Sequence, residues 1–193
     1  MRTLIILCHP YHKSYCHALY LAAIHSLEIA GHEVDRLHLD GELFDPVMRA
    51  ADLSVYAQGA SIDPLVQHYQ MRILAAEQLV FIFPIWWETM PALLKGFIDK
   101  VFTKGFSYEA APNRITPKLT HLRRAVVITT MNTPRWVYRL LYGDAIQRAL
   151  VRGTLKKCGV QDVRWWALTP VSHAGDVQRK KWLEQVEGRL GLK

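Results

Sequence analysis

The chain has 193 residues, 50% hydrophobic and 21% charged. That composition belongs to a globular chain long enough for a sizeable core, and it excludes a disordered or fibrous one. The formal net charge of +7 is spread out, with only the doublets Arg123-Arg124 and Lys156-Lys157 and the triplet Arg179-Lys180-Lys181; a nucleic-acid binder gathers such charge in one stripe, so nucleic acid is not an expected partner.

Thr3–Leu7 is a short apolar run and reads as a buried strand. Ser14 opens a helical pattern through Ala30, and Gly31 stands where a helix C-terminal glycine belongs. His32–Leu39 alternates as a second strand. Pro64–Ala76 reads as a helix. Gln78–Phe83 is apolar on both faces, as a central parallel strand should be. Pro91–Val101 is a helix with proline in its first turn. Ala125–Thr130 is another central strand, Tyr142–Cys158 a helix closed by Gly159, Val163–Leu168 a last strand and Gly175–Leu190 a last helix. No repeat, linker or low-complexity segment interrupts this order, so residues 1–193 are expected to form one domain.

Strands alternating with helices imply βαβ units and a parallel sheet covered on both faces. Five strands fit an α/β, flavodoxin-like sheet of order 2-1-3-4-5 better than the longer Rossmann order. In such sheets ligands sit beyond the carboxyl ends of the strands, so three loops matter: those after Leu7, Phe83 and Thr130. The first, His9 to Cys16, leads into a helix N-terminus, which suits a phosphate; His9, Lys13 and Ser14 can add charge and a hydroxyl. Ser14 as a plain helix cap is the alternative. The second carries the pair Trp86-Trp87. Neighbours on an extended segment face opposite ways, so one ring needs a partner outside the core, such as a flat aromatic ligand or another subunit. The third, Thr129 to Pro134, offers hydroxyls and an amide to a heterocycle, or ordinary turn chemistry.

Neither a Walker lysine motif nor G-x-G-x-x-G is present, and the nine histidines show no zinc spacing, so no metal is expected. Cys8, Cys16 and Cys158 are odd in number, and Cys8 and Cys158 lie in apolar surroundings; buried thiols in a reducing, cytoplasmic compartment are expected. The N-terminal apolar run stops at His9-Pro10, unlike a secretory leader, and Leu79–Trp87 is too short to span a bilayer.

The segment from Phe83 to Phe102, FPIWWETMPALLKGFIDKVF, resembles the signature of the NAD(P)H quinone oxidoreductase family, the flavodoxin-2 group. That family includes mammalian and bacterial quinone reductases and ancillary subunits of potassium-efflux systems. Matches continue in order at His9 with Ser14, Gly105–Tyr108, Val127–Thr130, Gly143-Asp144 and Gly153–Gly159. The resemblance implies that His9, Ser14, Tyr15 and Cys16 hold the phosphate region of a flavin, with Cys16 where mammalian members use asparagine. It implies that Pro84, Ile85, Trp86, Trp87 and Glu88 line the flavin ring, and that Thr129 and Thr130, with Asn132 beyond them, form the next contact. Tyr108 matches a tyrosine that reaches the substrate pocket of the other subunit. Met131-Asn132 replaces a Gly-Gly of the mammalian members. Tyr142 takes the place of a histidine that assists hydride transfer, and Trp136 or Tyr138 lies near the place of an assisting tyrosine.

The function so implied is two-electron reduction of quinones or similar acceptors, by ping-pong alternation with NAD(P)H as donor. FAD is the expected cofactor, FMN the alternative, and a homodimer the expected assembly. Tyr142, Tyr138 and Tyr108 are the candidate catalytic side chains. A second reading is a flavin-binding regulatory partner docked on a membrane potassium-efflux transporter. A one-electron flavodoxin-type carrier fits less well, because such carriers are acidic and this chain is basic.

Overall fold

A computed structural model describes residues 1–191. Five parallel strands form the central sheet: β1 (Arg2–Leu7), β2 (Glu33–His38), β3 (Gln78–Pro84), β6 (Arg124–Thr130) and β7 (Asp162–Leu168), in spatial order β2-β1-β3-β6-β7. Counted along this sheet alone, that is the 2-1-3-4-5 order expected from the sequence. The strand period of two divides each central strand between two cores. Leu4, Ile6, Leu79, Phe81, Ala125 and Val127 face one side, and Ile5, Leu7, Val80, Ile82, Val126 and Ile128 the other. Both faces are covered, which is why these strands read as unbroken apolar runs.

Helices α1 (Tyr15–Ile29) and α6 (Asp176–Leu190) cover one face. Helices α3 (Pro64–Ala75), α4 (Ala92–Val101) and a π-helix, π1 (Ile146–Lys156), cover the other. Local chemistry sets their ends. Ser14 Oγ accepts the His17 amide at 3.2 Å to cap α1, and Asp63 caps α3 by accepting the Leu65 amide at 3.0 Å. At the far end of α1, Gly31 takes φ +77° so that the His32 amide can bond back to Leu27 O.

Three features differ from the sequence reading. A two-stranded hairpin, β4 (Tyr108–Ala111) with β5 (Arg114–Pro117), follows α4, and a short helix α2 (Ala50–Tyr56) precedes α3. Where a helix was expected from Tyr142, the chain instead forms α5 (Arg135–Leu140), then turns through Gly143 and Asp144, both at positive φ, and only then enters π1. Two local contacts accompany the π character. Thr154 Oγ1 donates to Ala149 O five residues back, and a Cβ at Gly153 would stand 2.9 Å from Arg148 O.

The long connection from β2 to α3 is pinned to α4 by a buried lysine. Lys100 Nζ lies 3.3 Å from Asp63 and 3.6 Å from Asp52, and donates to Asp45 O at 3.1 Å. Beside it, Gly96 lets Pro46 press onto the helix: an added Cβ would sit 2.2 Å from Pro46 O and 2.3 Å from Pro46 Cβ. Alanine at 96 gains about 1 kcal/mol of helix propensity. A collision with backbone cannot be relieved by a rotamer change, and overpacking of this kind costs about 1–3 kcal/mol. Gly96→Ala should therefore lower the urea midpoint, and a raised midpoint would contradict the contact.

Candidate functional site

Parallel register brings the strand ends together. Leu7 pairs with Ile82, Pro84 with Thr130, and Thr130 with Leu168. The ladder continues one bond further, with Cys8 N to Ile82 O at 3.0 Å, Ile85 N to Thr130 O at 2.8 Å and Met131 N to Leu168 O at 3.1 Å. Four loops therefore emerge side by side, after Leu7, Pro84, Thr130 and Leu168.

The first loop runs into the N-terminus of α1. The amides of Tyr15 and Cys16 lie in its first turn, where no intrahelical acceptor exists. Lys13 is exposed beside them. His9 Nδ1 accepts the Tyr11 amide at 3.1 Å, its carbonyl accepts His38 Nε2–H at 3.1 Å, and its ring meets Trp86 edge-on at 6.0 Å. Burial holds the His9 imidazole below its usual range; Asp40 opposes this and His38 and His17 reinforce it. The helix end and Lys13 thus supply the positive character for a phosphate. The side chains of Tyr15 and Cys16 point elsewhere. Tyr15 donates to Arg179 O at 2.7 Å, and the buried Cys16 thiol lies 3.3 Å from Thr130 Oγ1. Burial pushes that thiol up to about 11, with Thr130 pulling slightly the other way. These two residues can serve an anion through their amides only.

The second loop is a tight turn. Trp86 N bonds to Thr89 O at 2.9 Å and Thr89 N to Trp86 O at 3.1 Å. Trp87 and Glu88 between them have φ of 47° and 60°. Two successive non-glycine residues in the left-handed region are uncommon and need support. The turn leaves Trp86 46% and Trp87 96% exposed. Glu88 Oε1 accepts from Thr133 Oγ1 at 3.3 Å, while Oε2 is buried without a partner, an acceptor suited to a ligand N–H.

Tyr138 holds this turn from behind. Its fully buried hydroxyl donates to Glu88 O at 2.7 Å and accepts the Ile146 amide at 3.1 Å. Burial raises its pKa, with the Ile146 bond opposing, so it stays a donor at neutral pH. A side chain expected among the catalytic candidates is thus sealed inside the protein with both hydrogen-bonding roles filled. Thr129 and Thr130 behave alike: Thr129 Oγ1 accepts from Trp165 Nε1 at 2.9 Å, and Thr130 Oγ1 meets Cys16. Asn132 Oδ1 accepts the Ser172 amide at 2.9 Å. Pro84 is buried at the strand end and Ile85 packs on the core.

Tyr142 is 51% exposed in the turn after α5. Tyr108 lies beyond the far end of α4, a ten-residue helix about 15 Å long that starts at the second loop. Its hydroxyl is 3.5 Å from Tyr56 OH, a contact that with burial pushes Tyr56 up to about 12. Within one chain, Tyr108 is not part of the loop cluster. Sequence reasoning missed the fourth loop, where Thr169 Oγ1 donates to Thr133 O at 2.7 Å and Val171 N bonds to Met131 O; the Thr169-Pro170 step just past the last strand was its signal.

Known proteins share this fold. Residues 1–190 match the model of a family described by its flavodoxin-like fold. NAD(P)H dehydrogenase (quinone) 1 of Cavia porcellus is 29% identical over 180 residues, covering 83% of this chain; the chain spans 65% of that relative's length. The NAD(P)H:quinone oxidoreductase from Methanothermobacter marburgensis superposes with a TM-score of 0.87 at 25% identity, covering 99% of this chain and 96% of that one. The Smu.1420 protein of Streptococcus mutans UA159 gives a TM-score of 0.83 at 30% identity, covering 99% of each. The chain belongs to this family of flavodoxin-like fold.

Tyr138→Phe leaves Glu88 O and the Ile146 amide without their partner, at about 1–3 kcal/mol each. Unfolding free energy should fall by about 2–6 kcal/mol, measured by urea titration; a loss below about 1 kcal/mol would show that the hydroxyl does not hold the turn.

Proposed function

We propose that the protein is a flavin-dependent NAD(P)H:quinone reductase that binds FAD, works by ping-pong alternation and acts as a homodimer. The observation that carries the reading is the pairing of an anion-ready helix end with a rigid, aromatic, outward-facing turn across two adjacent strand ends. The donor set fits a flavin: amides at α1 for phosphate, two indoles for a flat ring, and a buried carboxylate oxygen without a partner. When bound, the flavin supplies two-electron chemistry, taking a hydride from NAD(P)H and passing the electrons to a quinone-class acceptor.

The chain's own residues then divide by role. The Tyr15 and Cys16 amides, Ser14, His9 and Lys13 bind the phosphate region. Trp86, Trp87 and Glu88 orient the ring and shield one side from water. Thr129, Thr130, Asn132 and Tyr138 hold those loops in place. Tyr142, at the rim, orients the ring edge or the acceptor by donating a hydrogen bond. Tyr108 reaches a site only from a second copy, which closes the pocket across a two-fold axis.

Reconstitution with FAD or FMN should give a yellow protein, and mass spectrometry of the released cofactor should return FAD. Initial rates with NAD(P)H and a benzoquinone should give parallel double-reciprocal lines. Absence of a flavin band with either cofactor would remove the reading, and intersecting lines would remove the ping-pong step.

Tyr142→Phe should slow flavin reduction about tenfold or more, which is about 1.4 kcal/mol of barrier. An unchanged rate at unchanged flavin affinity would remove Tyr142 from the site.

Trp87, Trp136 and Leu141 are 96%, 65% and 71% exposed, apolar side chains of the kind that a partner covers. Light scattering at micromolar concentration should give twice the chain mass; a monomer would count against the shared site.

A further inference from the structure

Beside the loop cluster, α5 and π1 frame a cleft of about 400 Å³ lined mainly by arginine. Arg135 and Arg139 come from α5, and Arg148 and Arg152 from π1. The lining contains one carboxylate, Asp144. That carboxylate is already engaged: Arg135 Nη1 lies 2.9 Å from Asp144 Oδ1, and the same guanidinium stacks 4.2 Å from the Trp165 ring centroid. Arg139, Arg148 and Arg152 have no ion-pair partner among the described residues.

Three guanidiniums without ion-pair partners around one concavity give it a positive potential that favours an anion able to take several of them at once. Phosphate does this, because the guanidinium fork matches its oxygens two at a time. The volume lies within the range of small-molecule sites. A concavity of this size suits a phosphorylated small molecule better than a flat membrane or a folded partner. Its position narrows the choice. Arg135 sits 5.8 Å from the Tyr138 ring, whose hydroxyl holds the Trp86–Thr89 turn, so the cleft wall and that turn are braced by the same side chain.

We propose that this cleft is the subsite for the 2′-phosphate of NADPH, with Arg139, Arg148 and Arg152 as its ligands, and that NADPH is therefore the preferred donor. The assignment rests on the reductase reading for its ligand, but the binding itself does not require flavin.

The test uses calorimetric titration of the full chain with adenosine 2′,5′-bisphosphate, adenosine 5′-monophosphate and inorganic phosphate. The bisphosphate should bind at least tenfold more tightly than either of the others. In an Arg148→Gln/Arg152→Gln variant, and in Arg139→Gln as an independent check, that preference should shrink to about twofold. In steady-state assays the ratio of kcat/KM for NADPH over NADH should fall about tenfold in the double variant, carried by KM. Circular dichroism and flavin absorbance are recorded for each protein. Equal binding of the two adenosine compounds, phosphate binding as tight as the bisphosphate, or an unchanged donor ratio would overturn the assignment. Selective bisphosphate binding by a protein that takes up no flavin would support the phosphate subsite while removing the reductase reading.

Discussion

One buried hydroxyl organises the site. Tyr138 joins the carbonyl of Glu88 to the amide of Ile146, tying the second loop, α5 and the start of π1 to a single atom. The need for such a tie follows from energies. Each non-glycine residue held at positive φ costs of order 1–3 kcal/mol, and Trp87 and Glu88 are two in succession. One hydrogen bond, at a net of about 1 kcal/mol, would not hold them. The turn survives because the Tyr138 bond adds to the Trp86–Thr89 pair and the Thr133–Glu88 contact. Their combined effect is an aromatic surface that stays presented to solvent when its own dihedrals favour relaxation.

Charge is distributed with comparable economy. The net charge of +7 looks diffuse in sequence, yet the fold places an anion-ready helix end on one side of the turn and an arginine cleft on the other. Lys100 is the counter-case: it is buried beside two aspartates and serves only to fasten the connection before α3 to α4. Replacing it alone would strand two carboxylates in a poorly solvated site, a loss of about 3–5 kcal/mol by the general behaviour of buried pairs.

Much of the scaffold was legible because the relevant signals are local and periodic. Gln78–Phe83 and Ala125–Thr130 read as central strands since both faces are buried, and Ser14, Pro64 and Gly31 announce helix ends by capping chemistry. The hairpin Tyr108–Pro117 was not legible: almost all its residues are exposed, so no apolar alternation marks it, and only Pro112-Asn113 hints at a turn. The helix expected from Tyr142 failed at its start, because Gly143 and Asp144 take left-handed conformations fixed by the Arg135 ion pair and by Asp144 N bonding to Tyr138 O. At the site, the loops were found from strand ends. The division between residues that face a ligand and residues that brace the loops was not, since Thr129, Thr130, Asn132 and Tyr138 owe their roles to partners 36 to 114 positions away or in the opposing loop.

The third and fourth loops are stitched together by Met131 O with Val171 N, Asn132 with Ser172, and Thr133 O with Thr169. Mechanically they form one plate hinged on β6 and β7. Residues 169–174 are thereby linked through Thr133 to the Glu88 carboxylate by a continuous run of hydrogen bonds. The outer segment therefore braces the Trp86–Thr89 turn from the neighbouring loop, and loss of the Thr169 bond would loosen Thr133 and its hold on Glu88 together.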